Sequence, residues 1–184
     1  MKRILGLIIA LLLVTSTCFA DVVMSGAKIG TGPKQVIGLS TVGTTEGNTA
    51  SSFTRCAKVT TVNAMSLLYA WQYAKANTTP GTTSFCVYNS ARDTQVGACS
   101  NSITLPTSYT WNKVTFSPPI SLAATTDYFL CPVSVPGSGN LYFYYTTGAV
   151  NSNYTGTGTT CPSVGTSGDT QVMSVCGANY DLGL

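Results

Sequence analysis

The sequence predicts an all-β fold: a single antiparallel β-sandwich domain of jelly-roll type, stabilised by disulfides. Three observations predict it. Apolar and polar residues alternate along many short runs, the period of a half-buried strand. Clusters of Gly, Pro, Asn and Ser punctuate those runs at short intervals and mark off about nine or ten strands, the pattern of sandwiches and barrels. Cysteines are even in number once a leader is set aside, and in an exported chain they read as a disulfide framework.

The leader comes first. Lys2 and Arg3 precede an apolar run over residues 4–14, and Cys18-Phe19-Ala20 forms a small-x-Ala cleavage pattern, so residues 1–20 read as a signal peptide. The run is too short to span a hydrocarbon core of about 30 Å. Acylation of Cys18 is the competing reading, and Thr15 and Thr17 precede it unfavourably. Residues 21–35 are a short lead-in, and residues 36–184 form the domain, long enough for a sizeable core. No later segment is apolar enough to cross a membrane. The expected location is extracellular or periplasmic, with the mature chain soluble or surface-associated.

Within the domain, residues 36–39 read as a strand and 40–52, rich in Thr, Gly, Ser and Asn, as a long loop. Residues 53–60 follow as a strand. In 64–75, Met65, Leu67, Tyr69, Trp71 and Tyr73 alternate with Ala64, Ser66, Ala70, Gln72 and Ala74, broken only by Leu68. Ala, Leu and Gln favour a helix there, but the alternation and the aromatics favour a strand. Pro80-Gly81 marks a turn, 84–88 a strand, 89–97 a polar excursion and 98–105 the return strand.

Segment 109–135 organises the rest. Asn112, Val114 and Phe116 share one face, Lys113 and Thr115 the other, and Trp111 reads as a core anchor. Pro118 and Pro119 should stop the ladder, since proline has no N–H to donate. Residues 128–135 are almost wholly apolar, as in a strand buried on both faces. After the turn at 135–140, 141–146 reads as a strand, 148–168 as a polar loop and 170–180 as the closing strand.

The order Trp111-Asn112, Pro118-Pro119-Ile120-Ser121-Leu122 and Thr125-Thr126-Asp127-Tyr128-Phe129-Leu130 resembles the signature of a jelly-roll module of secreted, surface and phage-related proteins, carbohydrate-binding modules among them. Ile37-Gly38, Arg55-Cys56-Ala57-Lys58-Val59, the strand at 64–74 and Phe85-Cys86-Val87-Tyr88 extend the resemblance over most of the domain. The chain departs from the signature at Thr125 and Thr126, where a glycine is usual, and in its cysteines. The resemblance implies a glycan-binding or surface-building role and transfers no catalytic residue.

Removing Lys2 and Arg3 with the leader leaves seven cations against six carboxylates, a net charge of +1. There is no basic stripe for nucleic acid. The six domain cysteines leave many connectivities open. Cys86–Cys99 is favoured because the pair flanks a hairpin, Cys161–Cys176 comes second, and Cys56–Cys131 remains. A metal site is disfavoured: there is no C-x-x-C pair and no histidine. Histidine-based nucleophilic catalysis is likewise excluded. Glu46, Asp93, Asp127 and Asp169 are the candidates for a paired-carboxylate site, and each suits a turn as well. No glycine loop cradles a phosphate. The reading is therefore a non-enzyme without cofactor.

Leu141-Tyr142-Phe143-Tyr144-Tyr145 carries the most functional content. If Leu141, Phe143 and Tyr145 face inward, Tyr142 and Tyr144 stand outward about 7 Å apart on one strand face. Such rings can stack on sugars, with Tyr154 adding to them, or simply cover the sheet. The expectation is a secreted, non-catalytic module for glycan or cell-surface carbohydrate. The alternative is a structural subunit of an extracellular fibre, coat or surface layer, self-associating through an edge strand.

Overall fold

The computed structural model describes residues 33–49, 53–135, 140–148, 153–157 and 170–184; the leader, Cys161 and Asp169 lie outside them. The described residues form strands and connecting segments without a helix. In chain order the strands are β1 (Val36–Gly38), β2 (Thr45–Thr49), β3 (Phe53–Thr60), β4 (Met65–Ala76), β5 (Gly81–Asn89), β6 (Ile103–Leu105), β7 (Thr110–Leu122), β8 (Asp127–Val135), β9 (Leu141–Thr147), β10 (Asn153–Thr157), β11 (Gln171–Met173) and β12 (Val175–Ala178). They build two antiparallel sheets, so the all-β sandwich read from the sequence holds. One sheet has five strands in the order β10-β3-β8-β5-β6. The other has seven, β1-β12-β4-β9-β11, with β2 added on β9 and β7 on β4.

The core follows from the alternation. Leu67, Phe85, Phe116, Leu130 and Phe143 are all buried to 1 % exposure or less between the sheets. Each such side chain contributes about 1.5–3 kcal/mol on burial. Phe85 and Leu130 come from the five-stranded sheet and Leu67, Phe116 and Phe143 from the larger one, whose inner face also carries small residues on β4 and β12. Ala70, Ala74 and Ala76 are fully buried there, and a methyl group on Gly177 would stand 2.7 Å from Leu67.

β8 is buried on both faces, as its near-continuous apolar run predicts. Tyr128 and Leu130 join the inter-sheet core. Phe129, Cys131 and Val133 join a second cluster with Cys56, Cys86 and Tyr88, against which Cys99 packs. Disulfides Cys56–Cys131 and Cys86–Cys99 cross this outer cluster. Cys86 also lies directly opposite Cys131 in the β5–β8 register, so the four cysteines form one row.

The break at Leu68 is structural. The β4–β7 register jumps there, with Leu67 facing Ile120 but Tyr69 facing Thr115. Pro118 and Pro119 fall inside that irregularity. They interrupt the pairing but do not end the strand, which runs to Leu122. In the regular ladder beyond the bulge, Asn112 faces Gln72 and is buried, and its Nδ2 donates to the carbonyls of Gln72, Ala74 and Thr110 at 3.2, 2.9 and 3.0 Å. A buried polar thread continues from the Gln72 side chain to Ser134 and Thr83, linking the two sheets.

Other expectations are corrected. Segment 40–52 is not all loop: β2 pairs with β9, and its polar sequence suits an edge that buries little. Segment 148–168 contains β10, paired with β3. The return strand shrinks to β6, while 96–100 bonds back to β5 through Val96 and Ser100. The closing strand divides at Ser174, whose backbone bonds both Tyr73 and Tyr144 and whose hydroxyl accepts the Gly43 N–H.

Candidate functional site

Beyond the irregularity at Leu68, β4 turns its even-numbered residues inward and its aromatics outward. Tyr69, Trp71, Tyr73 and Lys75 therefore face away from the core. β7 does the same: Asn112 and Val114 are buried, while Trp111 and Lys113 lie on the outer face. Trp111 is thus not a core anchor. It is half-buried on the outside of the larger sheet, opposite Tyr73 in register. On β9, Leu141 and Phe143 are buried and Tyr142 and Tyr144 point outward, half-buried. The register of β2 brings Glu46 beside Tyr144 and Asn48 beside Tyr142. One sheet face collects all of these side chains.

This face has two halves. In one, Trp71 is fully buried with Cys176 and Ala178, with the chain's own Val36, Tyr69, Tyr180 and Leu182 packed against them and Trp111 packed there from the boundary between the halves. The Trp71 indole N–H is buried there without a partner among the described residues. Lys113 lies 5.0 Å from the Tyr69 ring and bonds Asp181 at 2.5 Å. Lys34 sits 5.0 Å from the Tyr180 ring.

The other half is built of half-exposed rings. Tyr73 and Tyr109 stack at 5.6 Å with planes 9° apart. Trp111 tilts against Tyr73 at 5.5 Å. Tyr144 meets Tyr73 and Tyr109 edge-on, at 5.7 and 5.0 Å. Lys75 places its ammonium 4.6 Å from the Tyr109 ring centre and 5.2 Å from that of Tyr142. Desolvation pushes the Tyr109 phenol well above its ordinary value, and the Glu46 carboxylate adds to the shift. The two groups do not reach full hydrogen-bond geometry, and the Tyr109 hydroxyl is buried without a partner among the described residues.

Of the three tyrosines singled out from the sequence, Tyr142 and Tyr144 share this face. They do not form a free two-ring platform, because Tyr144 is tied to Tyr73 and Tyr109 while Tyr142 contacts Lys75. Tyr154 sits in β10 at the edge of the other sheet, opposite Cys56, with its side chain outside the described residues. Tyr73, Tyr109 and Trp111 were missed as site residues. The signal was available in the alternation of β4, but choosing its outward face required the register of the whole sheet.

The carboxylates take structural partners. Lys58 and then Thr60 hold Asp127 below its usual pKa, with the Lys58 contact at 2.7 Å. Asn89 and Thr94 hold Asp93 down. A general acid needs the opposite shift. Burial pushes the Cys176 thiol up to about 12, away from nucleophilic use. Cys161, read from the sequence as its partner, lies outside the described residues, and among those residues Cys176 has no disulfide partner. What the aromatic half offers is flat apolar area, phenol hydroxyls, one cation and one carboxylate. Those are means of binding. The chain matches no protein-family model and no curated protein.

Proposed function

We propose that the protein is an exported, non-catalytic binding module whose ligand is a glycan or cell-surface carbohydrate, held on the outer face of the seven-stranded sheet. The observation that carries this reading is the half-exposed group of Tyr73, Tyr109, Trp111, Tyr142 and Tyr144 beside Lys75 and Glu46. Sugars present apolar ring faces edged by hydroxyls, and aromatic rings with polar tips complement both. The resemblance of segments around Trp111 and Asp127 to jelly-roll carbohydrate-binding modules points the same way. The disulfides suit an oxidising compartment, as the leader implies.

Assembly by strand addition has less to draw on. Among the described residues β7 is the longest strand and pairs only with β4. Its free edge is blunted by Pro118, Pro119 and Lys113, and Asn101 occupies it at Thr115 through one backbone and one side-chain bond. A glycan array with the mature protein tests the proposal. Binding to at least one polysaccharide class is expected, lost in Trp111→Ala combined with Tyr142→Ala. An empty array, or binding indifferent to those changes, refutes it. Concentration-dependent growth in sedimentation velocity would favour the structural subunit instead.

A further inference from the structure

The outer face repeats one arrangement twice, and the chain completes only one copy. In the covered half, a lysine lies over a tyrosine ring, apolar side chains roof the aromatic floor, and a carboxylate closes the pair: Lys113 over Tyr69, with Tyr180 and Leu182 above and Asp181 bonded to Lys113. The open half has the floor and the lysine. Lys75 lies over Tyr109 and Tyr142. Among the described residues no carboxylate pairs with it, and the ion pairs there are Lys58–Asp127 and Lys113–Asp181. Glu46 is the nearby acid, but its influence falls on the Tyr109 phenol.

We propose that the ligand of the open half is an anionic polysaccharide, whose carboxylate or sulfate group pairs with Lys75 while its sugar rings lie on Trp111 and Tyr142. This rests on the glycan reading above and narrows it. A lysine held over two rings stands on an apolar surface, where an arriving anion is attracted more strongly than at an open lysine. The phenol tips of Tyr73, Tyr142 and Tyr144, with Asn48 beside Tyr142, supply closely spaced polar groups for a polyhydroxylated chain. That density of hydroxyl partners favours a sugar over an acidic peptide.

The test uses matched polymers. The mature protein is titrated with polygalacturonate and with its fully methyl-esterified form, which keeps the backbone and removes the charge. Alginate, hyaluronan and dextran sulfate extend the charged set, and dextran serves as a neutral control. Binding to a charged polymer is expected, weakening as salt rises from about 0.05 to 0.5 M. Lys75→Gln should weaken it about fivefold, the scale of one partly shielded charge contact. Lys113→Gln should leave it unchanged, because that ammonium already has Asp181. Circular dichroism confirms that both variants fold.

Equal affinity for the charged and esterified polymers, or a charged interaction indifferent to Lys75→Gln, overturns the anionic inference and leaves the glycan reading standing. Equal losses in the two lysine variants overturn it as well, since they would mean diffuse attraction. Failure to bind any of the charged polymers also overturns it. If the wider glycan array is empty too, both readings fall. Capture of acidic peptides in preference to all these polymers replaces the ligand class.

Discussion

Replacing Asn112 by Asp changes two N–H donors into an acceptor and alters almost no volume. Asn112 is 4 % exposed, and its amide nitrogen serves three carbonyl oxygens at 2.9 to 3.2 Å. In N112D a carboxylate would face three partial negative charges with no cation beside it. An uncompensated buried charge costs about 3 kcal/mol or more, and the lost donors cost about 1 kcal/mol besides. At about 1.36 kcal/mol per unit, 3 kcal/mol lifts the folded-state pKa of the introduced carboxyl from about 3.9 to about 6. Because the folded value lies above the unfolded one, the charge penalty is present above the folded pKa. It fades as pH falls toward the unfolded value. The difference in unfolding free energy between wild type and N112D should therefore be about 4 kcal/mol at pH 7 and about 2 kcal/mol at pH 4.5. Urea titrations of both proteins at the two pH values, followed by circular dichroism, measure it. A difference below about 1 kcal/mol at pH 7, or one that does not change with pH, would refute the reading that this buried amide is held as a donor by the carbonyls of β4 and β7.

The acid stability of the wild type should have a simple form. Asp127 is lowered mainly by Lys58, Asp181 mainly by Lys113 and Asp93 mainly by Asn89. Their folded pKa values lie below the unfolded value of about 3.9, so their contribution is present above that pH and is lost as pH falls through the folded values. With no histidine in the chain, the urea midpoint should be level between about pH 5 and 8 and drop below about pH 4, and a histidine-like step near pH 6.5 would contradict this. Cys99→Ser leaves Cys86 as a thiol directly across from Cys131; alkylation and peptide mapping should find a Cys86–Cys131 fraction beside Cys56–Cys131, and complete alkylation of Cys86 would refute the exchange. Gly38 has φ 84°, and a methyl group there would meet the Val175 carbonyl oxygen, so Gly38→Ala should cost about 2 kcal/mol in urea unfolding by misplacing β1 on β12.

Much of this architecture was legible because the alternation is local. The two sides of β7, the doubly buried β8 and the inward Leu141 and Phe143 follow from the two-residue period alone. The pairing of Cys86 with Cys99 was legible for the same reason, since a hairpin brings its flanks together. What was not legible depended on partners distant in sequence. β2 reads Thr-Glu-Gly-Asn-Thr, a poor strand by propensity, and becomes one because β9 offers it an edge. The prolines argued for a stop, and only the register jump at Leu68 shows how a strand accommodates them. Trp111 went to the wrong side because a tryptophan near a buried Asn112 and Val114 suggests a core, whereas parity alone places it with Lys113.

The outward placement of Trp111 leaves one question that stability measurements answer without any ligand. β4 and β12 turn Ala70, Ala74, Ala76 and Gly177 inward, so the rings of β4 beyond Leu68 lie outside, and on β7 parity puts Trp111 outside while Phe116 packs inside. A ring outside is either held for the fold, as Trp71 is, or left for a partner. The two roles differ in cost. Phe116 is 1 % exposed, and Phe116→Ala should lose about 3–5 kcal/mol. Trp111 is half-buried, with a tilted contact to Tyr73 and one side packed on the Trp71 cluster, so Trp111→Ser should lose about 1–2 kcal/mol, the aromatic pair plus the covered part of its apolar area. Thermal or urea unfolding of the two variants beside wild type decides between the roles. If Trp111→Ser costs as much as Phe116→Ala, the indole is fully covered in solution and belongs to the fold. A small cost leaves its surface open and the binding role intact.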